Sequence, residues 1–550
     1  MSPLDSQSRL AQTIAVDLYD TISTSSTFVV GKLIPQAAAV QSRNLEVRSP
    51  KEIRRPKAEI RPRRKESLRV WCRCFQATSS TPKASRLLGF RVSVFCRISA
   101  FGLRISRNRF YRLETSRNRA SPTRSSGQGF SSHHLLLCAA LIFVPLSQAF
   151  SAVDPATDWP AWRGPTRDGI AAPGQNPPLH WSETEGVLWK AAVPGRGHGS
   201  PTVVGNRVYL ATAEVENQSV LCLNRNTGQR VWETKVHGGQ PDPGHHSNSS
   251  AASSTAACDG SRLYINFLNA GAVYTSALDL DGKLLWQHKV CDFVTHQGFG
   301  SSPVLYESLV IVSADHRAGG VIAALNRDTG EQVWSQPRPK IPNYTSPAVV
   351  NAGGRTQVVL AGCNLISSFD PASGKKLWEL DGSSEECVVT PVTDGTRIFT
   401  SGGYPKNHTV AVFADGSNRV AWQNTARVYV PSMIQKEGYL YAVMDASLAV
   451  CWTADTGTEM WKERLGGDFF ASPVMVGNRI YATNVRAKTY VFEATPKHFE
   501  ILAQNQLGDE AYASPVICGS RIYLRAATHG DRRQEYLYCI GNASTDKGLP

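Results

Sequence analysis

The chain has 550 residues, of which 19% are charged and 41% hydrophobic, a balance that excludes wholesale disorder. No stretch of 18 or more apolar residues occurs, which excludes an ordinary multi-span helical membrane protein. The net charge of +14 belongs to one end: residues 1–133 hold 25 Lys+Arg against 8 Asp+Glu, and the remainder holds 34 against 37. Overall basicity is therefore no argument for a nucleic-acid partner of the larger part.

Residues 1–130 are rich in Arg and Ser, with a dense basic run, RRPKAEIRPRRK, at 54–65. Basic blocks without apolar periodicity are usually solvated coil. A disordered leader, or a reading frame opened upstream of the true start, is preferred over a nucleic-acid or lipid-binding tail. Leu135 to Leu146 is an apolar run of 12 residues, short for a bilayer and sufficient for the core of a signal peptide over 131–149. Small residues at Ser147 and Ala149 place cleavage after Ala149. Cys138 has no small residue before it, so no lipid anchor is expected. The mature chain is then exported to the periplasm or outside the cell. Its eight cysteines show no CxxC and no adjacent pair, which argues against a zinc site or a disulfide scaffold. Cys518 with Cys539 is the one bridge considered.

Residues 150–186 are expected to lie outside the main domain and to pack on it through Trp159 and Trp162. From 187 to 541 one block recurs. It has a small residue and Pro, a short apolar strand, a Gly turn, a second apolar strand, a third strand, then a turn and Trp. The first copy, SPTVVGNRVYLATAE…SVLCLNRNTGQRVW, spans 200–232, and the third, SSPVLYESLVIVSAD…VIAALNRDTGEQVW, spans 301–334. Trp189, Trp232, Trp286, Trp334, Trp378, Trp422 and Trp461 follow one another at intervals of 39 to 54 residues, the period of a four-stranded propeller blade. The seventh copy has lost its Trp and the eighth stops after three strands. VLWKAAV at 187–193 reads as the missing fourth strand, because pairing the two ends removes two sheet edges. The prediction is an all-β, eight-bladed propeller closed by strand 187–193 on the last blade, with a short tail at 542–550.

ALNRDTGEQVW (324–334), DPASGKKLW (370–378) and ADTGTEMW (454–461) resemble the tryptophan-docking motif of PQQ-like, quinoprotein-type propeller repeats. With WPAWRGPTRDGI near the start and YLYCIG at the close, residues 158–541 look like the secreted bacterial PQQ-like propellers, similar to outer-membrane assembly propellers. The resemblance implies that each Trp lies flat between blades and is structural.

Fold alone does not give function, and three classes stay open. A binding or assembly scaffold of the cell envelope is preferred. A PQQ- and Ca²⁺-dependent dehydrogenase is the enzymatic alternative, but that family's adjacent Cys pair and long roofing inserts are missing here, so no cofactor is assigned. The third is a glycan- or metal-binding propeller. Loops entering each blade meet the central channel, so His198, His245, His246, Asn248, His296, Ser301, Asp315 and His316 are expected to converge at one end of the axis. Imidazoles beside a carboxylate suit Zn or Cu. Tyr344, Tyr404, Tyr429 and Tyr512 sit at blade entries, where a ring could stack on a sugar. Arg525, within an apolar strand, needs an unidentified carboxylate. The expected partners are envelope proteins or a small ligand, with no nucleic acid for the mature chain, no transmembrane helix after signal cleavage, and a monomeric state.

Overall fold

The computed structural model describes residues 152–542 except 240, 243 and 245. The leader, the signal segment and residues 543–550 lie outside the described residues. No helix occurs among the described residues, so none there is long and apolar enough to cross a membrane. The strands form eight four-stranded antiparallel sheets, the predicted eight-bladed propeller. Blade one is Thr202–Val204, Arg207–Glu214, Asn217–Asn224 and Arg230–Gly238. Blades two to seven repeat this order. The eighth consists of Val516–Cys518, Arg521–His529, Arg533–Ile540 and, as its outer strand, Val187–Val193. The ring is therefore closed by the two ends of the propeller sequence, as expected.

The docking role of the tryptophans follows from register. Each faces a small residue on the third strand, for example Cys222 for Trp232, Ala277 for Trp286 and Ala324 for Trp334. Just before it the ladder carries a bulge, and a bulge re-aims a side chain. The indole N–H then donates to a backbone carbonyl in the following blade: Trp189 to Arg225 at 2.9 Å, Trp334 to Pro371 at 3.0 Å, Trp422 to Ala454 at 2.9 Å. Trp378 departs from this and donates to the Gln357 side chain at 2.7 Å. The bulged residue is exposed in blades one, two, three and six and part-buried in the other four. It is apolar in every blade (Val231, Leu285, Val333, Leu377, Ala421, Met460, Leu502 and Leu188).

In blade seven Ala503 takes the register of the missing Trp, opposite Val491. Trp181 of the N-terminal segment fills the space. It is buried, stacks on Tyr481 at 6.4 Å between centroids, and its backbone N–H donates to the Asn505 side chain at 3.0 Å. In blades one, two, five, six and eight an in-blade Trp lies about as close to the corresponding aromatic, as in Trp232 with Tyr209 at 5.9 Å. Cys518 and Cys539 are both free. The considered bridge does not form, because strand Arg521–His529 lies between their strands.

Candidate functional site

The Ser or Thr at the start of each repeat, usually followed by Pro, builds a belt around the axis. Ser200 N–H donates to Thr255 Oγ1, Thr255 N–H to Ser302 Oγ, and Ser302 N–H to Ser346 Oγ, each at 2.9 Å. The series continues from Thr390 to Ser432, from Ser432 to Ser472 and from Ser472 to Ser514 at 2.8 to 3.0 Å. In six blades the hydroxyl accepts from the preceding blade, while Thr390 Oγ1 accepts from the Trp162 indole and Ser200 Oγ is buried without a partner. The Pro that usually follows has no N–H to satisfy. A small hydroxyl residue at this position is thus a requirement of ring packing.

Below the belt the N-terminal segment crosses the axis. Trp159 bridges Val203 of blade one, Pro160 accepts from Cys258 of blade two, and the Trp162 indole donates to Thr390 Oγ1 of blade five at 2.8 Å. The buried Arg163 guanidinium donates to the carbonyls of Met433 and Pro473, before blades six and seven, and to Asp168 O. Arg167 reaches Leu305 O of blade three at 2.8 Å. A segment bonded to inner strands on opposite sides of a ring is a plug. Gly164 makes its turn possible: φ is +85°, and a Cβ there would lie 2.8 Å from the Trp159 ring. The sequence indicated packing of Trp159 and Trp162 but gave no sign of the plug, since these residues belong to no repeat.

Above the belt the blade-entry loops form a funnel with two polar clusters. In the first, the buried Glu386 carboxylate accepts from the Tyr429 hydroxyl and lies 3.3 Å from His296 Nε2. Arg317 donates to the same His296 nitrogen at 2.9 Å. One nitrogen cannot both accept from Arg317 and donate to Glu386, so the histidine tautomer decides which contact exists. Tyr344 accepts from Gln297 N–H, and burial followed by the Glu386 charge pushes its hydroxyl pKa up. Burial also raises Asp445, which is paired with Arg427 at 3.0 Å and accepts from Tyr429 N–H. Tyr404 is exposed at the rim, its carbonyl accepting from Glu386 N–H.

The second cluster lies where blades eight and one meet. Arg525 finds its carboxylate in Glu535, at 2.6 Å with both side chains almost fully buried. Glu535 also binds Arg533 at 2.7 Å and faces Gly197 N–H. Glu510 accepts from Arg533 and His529 and lies 3.6 Å from Arg196. Burial opposes its ionisation, but these cations outweigh burial and hold its pKa low. His198 stacks on Tyr512 at 4.4 Å, and the Tyr512 hydroxyl donates to Asn248. Burial, then the charges of Arg196, Arg525 and Arg533, depress His198 well below the usual histidine range, so it is neutral.

The predicted imidazoles do not come together as a metal set. His198 and His296 belong to different clusters. His246 is exposed and accepts from Asn248 N–H, and His245 lies outside the described residues. His316 packs on Phe293, its Nδ1 accepting from Val294 N–H and Ala318 N–H. Asp315 is spent on Arg338 and Asn343, and Ser301 pairs with the Ser313 hydroxyl. Among the described residues the grouping with three ligand atoms in reach is Glu493, His498 and Glu500, on the outer turn of blade seven. The sequence reading missed Glu386, Glu510 and Glu535. Glu386 was findable: it lies four residues before Thr390, in an entry loop aligned with those that gave His198 and His296.

A family model described as Outer membrane protein assembly factor BamB matches residues 151–296, 216–463 and 407–496. The BamB protein of Burkholderia pseudomallei (strain K96243) is 27% identical over 310 residues, 53% of this chain and 73% of that protein. That of Bordetella pertussis (strain Tohama I) is 24% identical over 310 residues, 54% and 72%. The quinohemoprotein alcohol dehydrogenase of Comamonas testosteroni superposes with a TM-score of 0.52 at 13% identity, covering 72% of this chain and 82% of that one. At that identity the likeness is one of fold. The funnel does not fit the quinone and calcium of such enzymes. Calcium needs several uncommitted oxygens, whereas Asp445, Glu510 and Glu535 are each held by arginine and Glu386, among the described residues, stands alone beside Tyr429 and His296. Trp162, a flat ring near the axis, is bonded to the belt from below.

Proposed function

This chain belongs to the family of the outer membrane protein assembly factor BamB, and from that premise we propose that it is an exported, monomeric propeller that binds other proteins in the cell envelope as an assembly scaffold. The observation that carries this reading is the apolar residue at each docking bulge. Val231, Leu285 and Val333, on the outer strands of three consecutive blades, are 48%, 41% and 51% exposed, and Leu284 beside them is exposed too. Lone apolar residues on a surface mean little; we take these three, with Leu284, as parts of one face along neighbouring blade edges. Outer strands also offer unpaired backbone groups, which charge or cover normally protects. The test is a photo-crosslinking residue at Leu285 in cells, with a control at exposed Lys462 of blade six. Adducts at Leu285 with an outer-membrane assembly component, absent from the control, are expected. Identical adducts at both positions, or a protein retained in the cytosol, refute the scaffold reading.

A further inference from the structure

Arg167 carries a charge that no carboxylate among the described residues pairs with. It sits in the plug, its Nη2 donates to Leu305 O at 2.8 Å, and burial pushes its pKa down. Arg163, four residues earlier, is buried among three backbone carbonyls. Asp168 is the acid beside them. Its Oδ1 accepts from the Thr166 hydroxyl at 2.6 Å and from Ile170 N–H at 2.9 Å. Two guanidinium groups against one carboxylate leave one positive charge over. Withdrawing a charge from water is expensive unless a counter-charge meets it.

Arg167 lines a crevice of about 410 Å³ between the plug and the inner strands of blades three to five. That volume lies within the ~300–1,000 Å³ of small-molecule sites. Trp162 and Tyr306 contribute rings to its wall, and Asn351 accepts from the Thr356 hydroxyl through Oδ1, which leaves its amide N–H groups free. Asp168 also lines it, with Oδ1 taken up by Thr166 and Ile170. A guanidinium with N–H groups to spare matches the two oxygens of a carboxylate or phosphate. We propose that this crevice binds a small aromatic oxyanion, its carboxylate or phosphate on Arg167 and its ring against Trp162 and Tyr306. The proposal is independent of the scaffold reading, because it concerns the plug end of the axis and not the outer rim.

The test is calorimetric titration of the full chain with benzoate, acetate, phenyl phosphate and neutral benzyl alcohol, on the native protein and on Arg167→Gln, Arg167→Lys and Tyr306→Ala. At least one oxyanion is expected to bind ten-fold or more tightly than benzyl alcohol, and the two arms separate carboxylate from phosphate. Arg167→Gln should lose that preference, Arg167→Lys should keep part of it, and Tyr306→Ala should weaken benzoate more than acetate. Without ligand, Arg167→Gln should melt at or above the native temperature, because it removes an unpaired, partly buried charge. Failure of both oxyanions to bind, or equal binding by Arg167→Gln, overturns the proposal. So does a clearly lowered melting temperature of unliganded Arg167→Gln, which would make Arg167 a structural residue.

Discussion

Trp181 stands in for a tryptophan that its blade lacks, and its replacement has a calculable cost. Truncating a buried Trp to Ala costs about 3–5 kcal/mol. The Trp181 indole N–H is buried without a partner, so removing it returns about 1 kcal/mol. Trp181→Ala should therefore destabilise by about 3 kcal/mol. For a folded unit of nearly 400 residues this is a fall of about 4 °C in melting temperature. Trp181→Phe keeps most of the stacking on Tyr481 and loses no hydrogen bond, so it should cost under about 1 kcal/mol. Trp334→Phe forfeits the bond to Pro371 O at 3.0 Å and should cost about 1–2 kcal/mol. The compensating variant is Ala503→Trp, which restores an in-blade indole. In the native background it overpacks the site, whereas with Trp181→Ala the two changes should couple favourably by at least about 1 kcal/mol. Calorimetry and guanidinium unfolding read all five variants, the double replacement included. If Trp181→Ala melts within error of the parent, or Trp181→Phe costs as much as Trp334→Phe, the stand-in reasoning is wrong.

Three further outcomes are expected. Glu535→Ala should cost about 3–5 kcal/mol by stranding buried Arg525, and the double replacement Arg525→Met with Glu535→Leu should cost less than that single change. Lys376→Ala, at the exposed pair with Glu379 at 2.7 Å, should cost under about 1 kcal/mol in the same denaturation assay. Burial lowers His237 to about 4. The unfolded chain then binds the extra proton between about pH 6.5 and 4, so stability is full above that window and falls as pH drops through it. The loss from this histidine is about 2–3 kcal/mol, and His237→Gln should flatten the melting curve against pH by that amount.

The ring was legible because the repeat states its own period. Each Trp, turn glycine and Ser-Pro recurs where the same packing problem recurs, so blade count and closure follow without any long-range information. The entry loops were legible to the same extent, which is why His198, His296, Tyr344 and Tyr429 lie in the funnel. Their partners were not, since a partner is set by strand pairing and not by proximity in sequence. Glu535 lies diagonally across the ladder from Arg525, whose direct neighbour is Leu537. Asp315 and His316 looked like ligands because polar residues beside a channel do. The structure spends Asp315 on Arg338 and His316 on a loop turn. The plug was illegible for a plainer reason: a segment that occurs once has nothing to be compared with.

Closure has a consequence for the order in which this protein can assemble. Val187 pairs with Ile540, and the plug makes bonds to blades one, two, three, five, six and seven. None of the more distant bonds can form until most of the chain is present. Contacts this far apart in sequence are costly in loop entropy and slow to reach. The segment that enters the folding reaction first is thus among the last to settle. Until Val187–Val193 pairs with Arg533–Ile540, the ring remains an open arc with a free edge at each end.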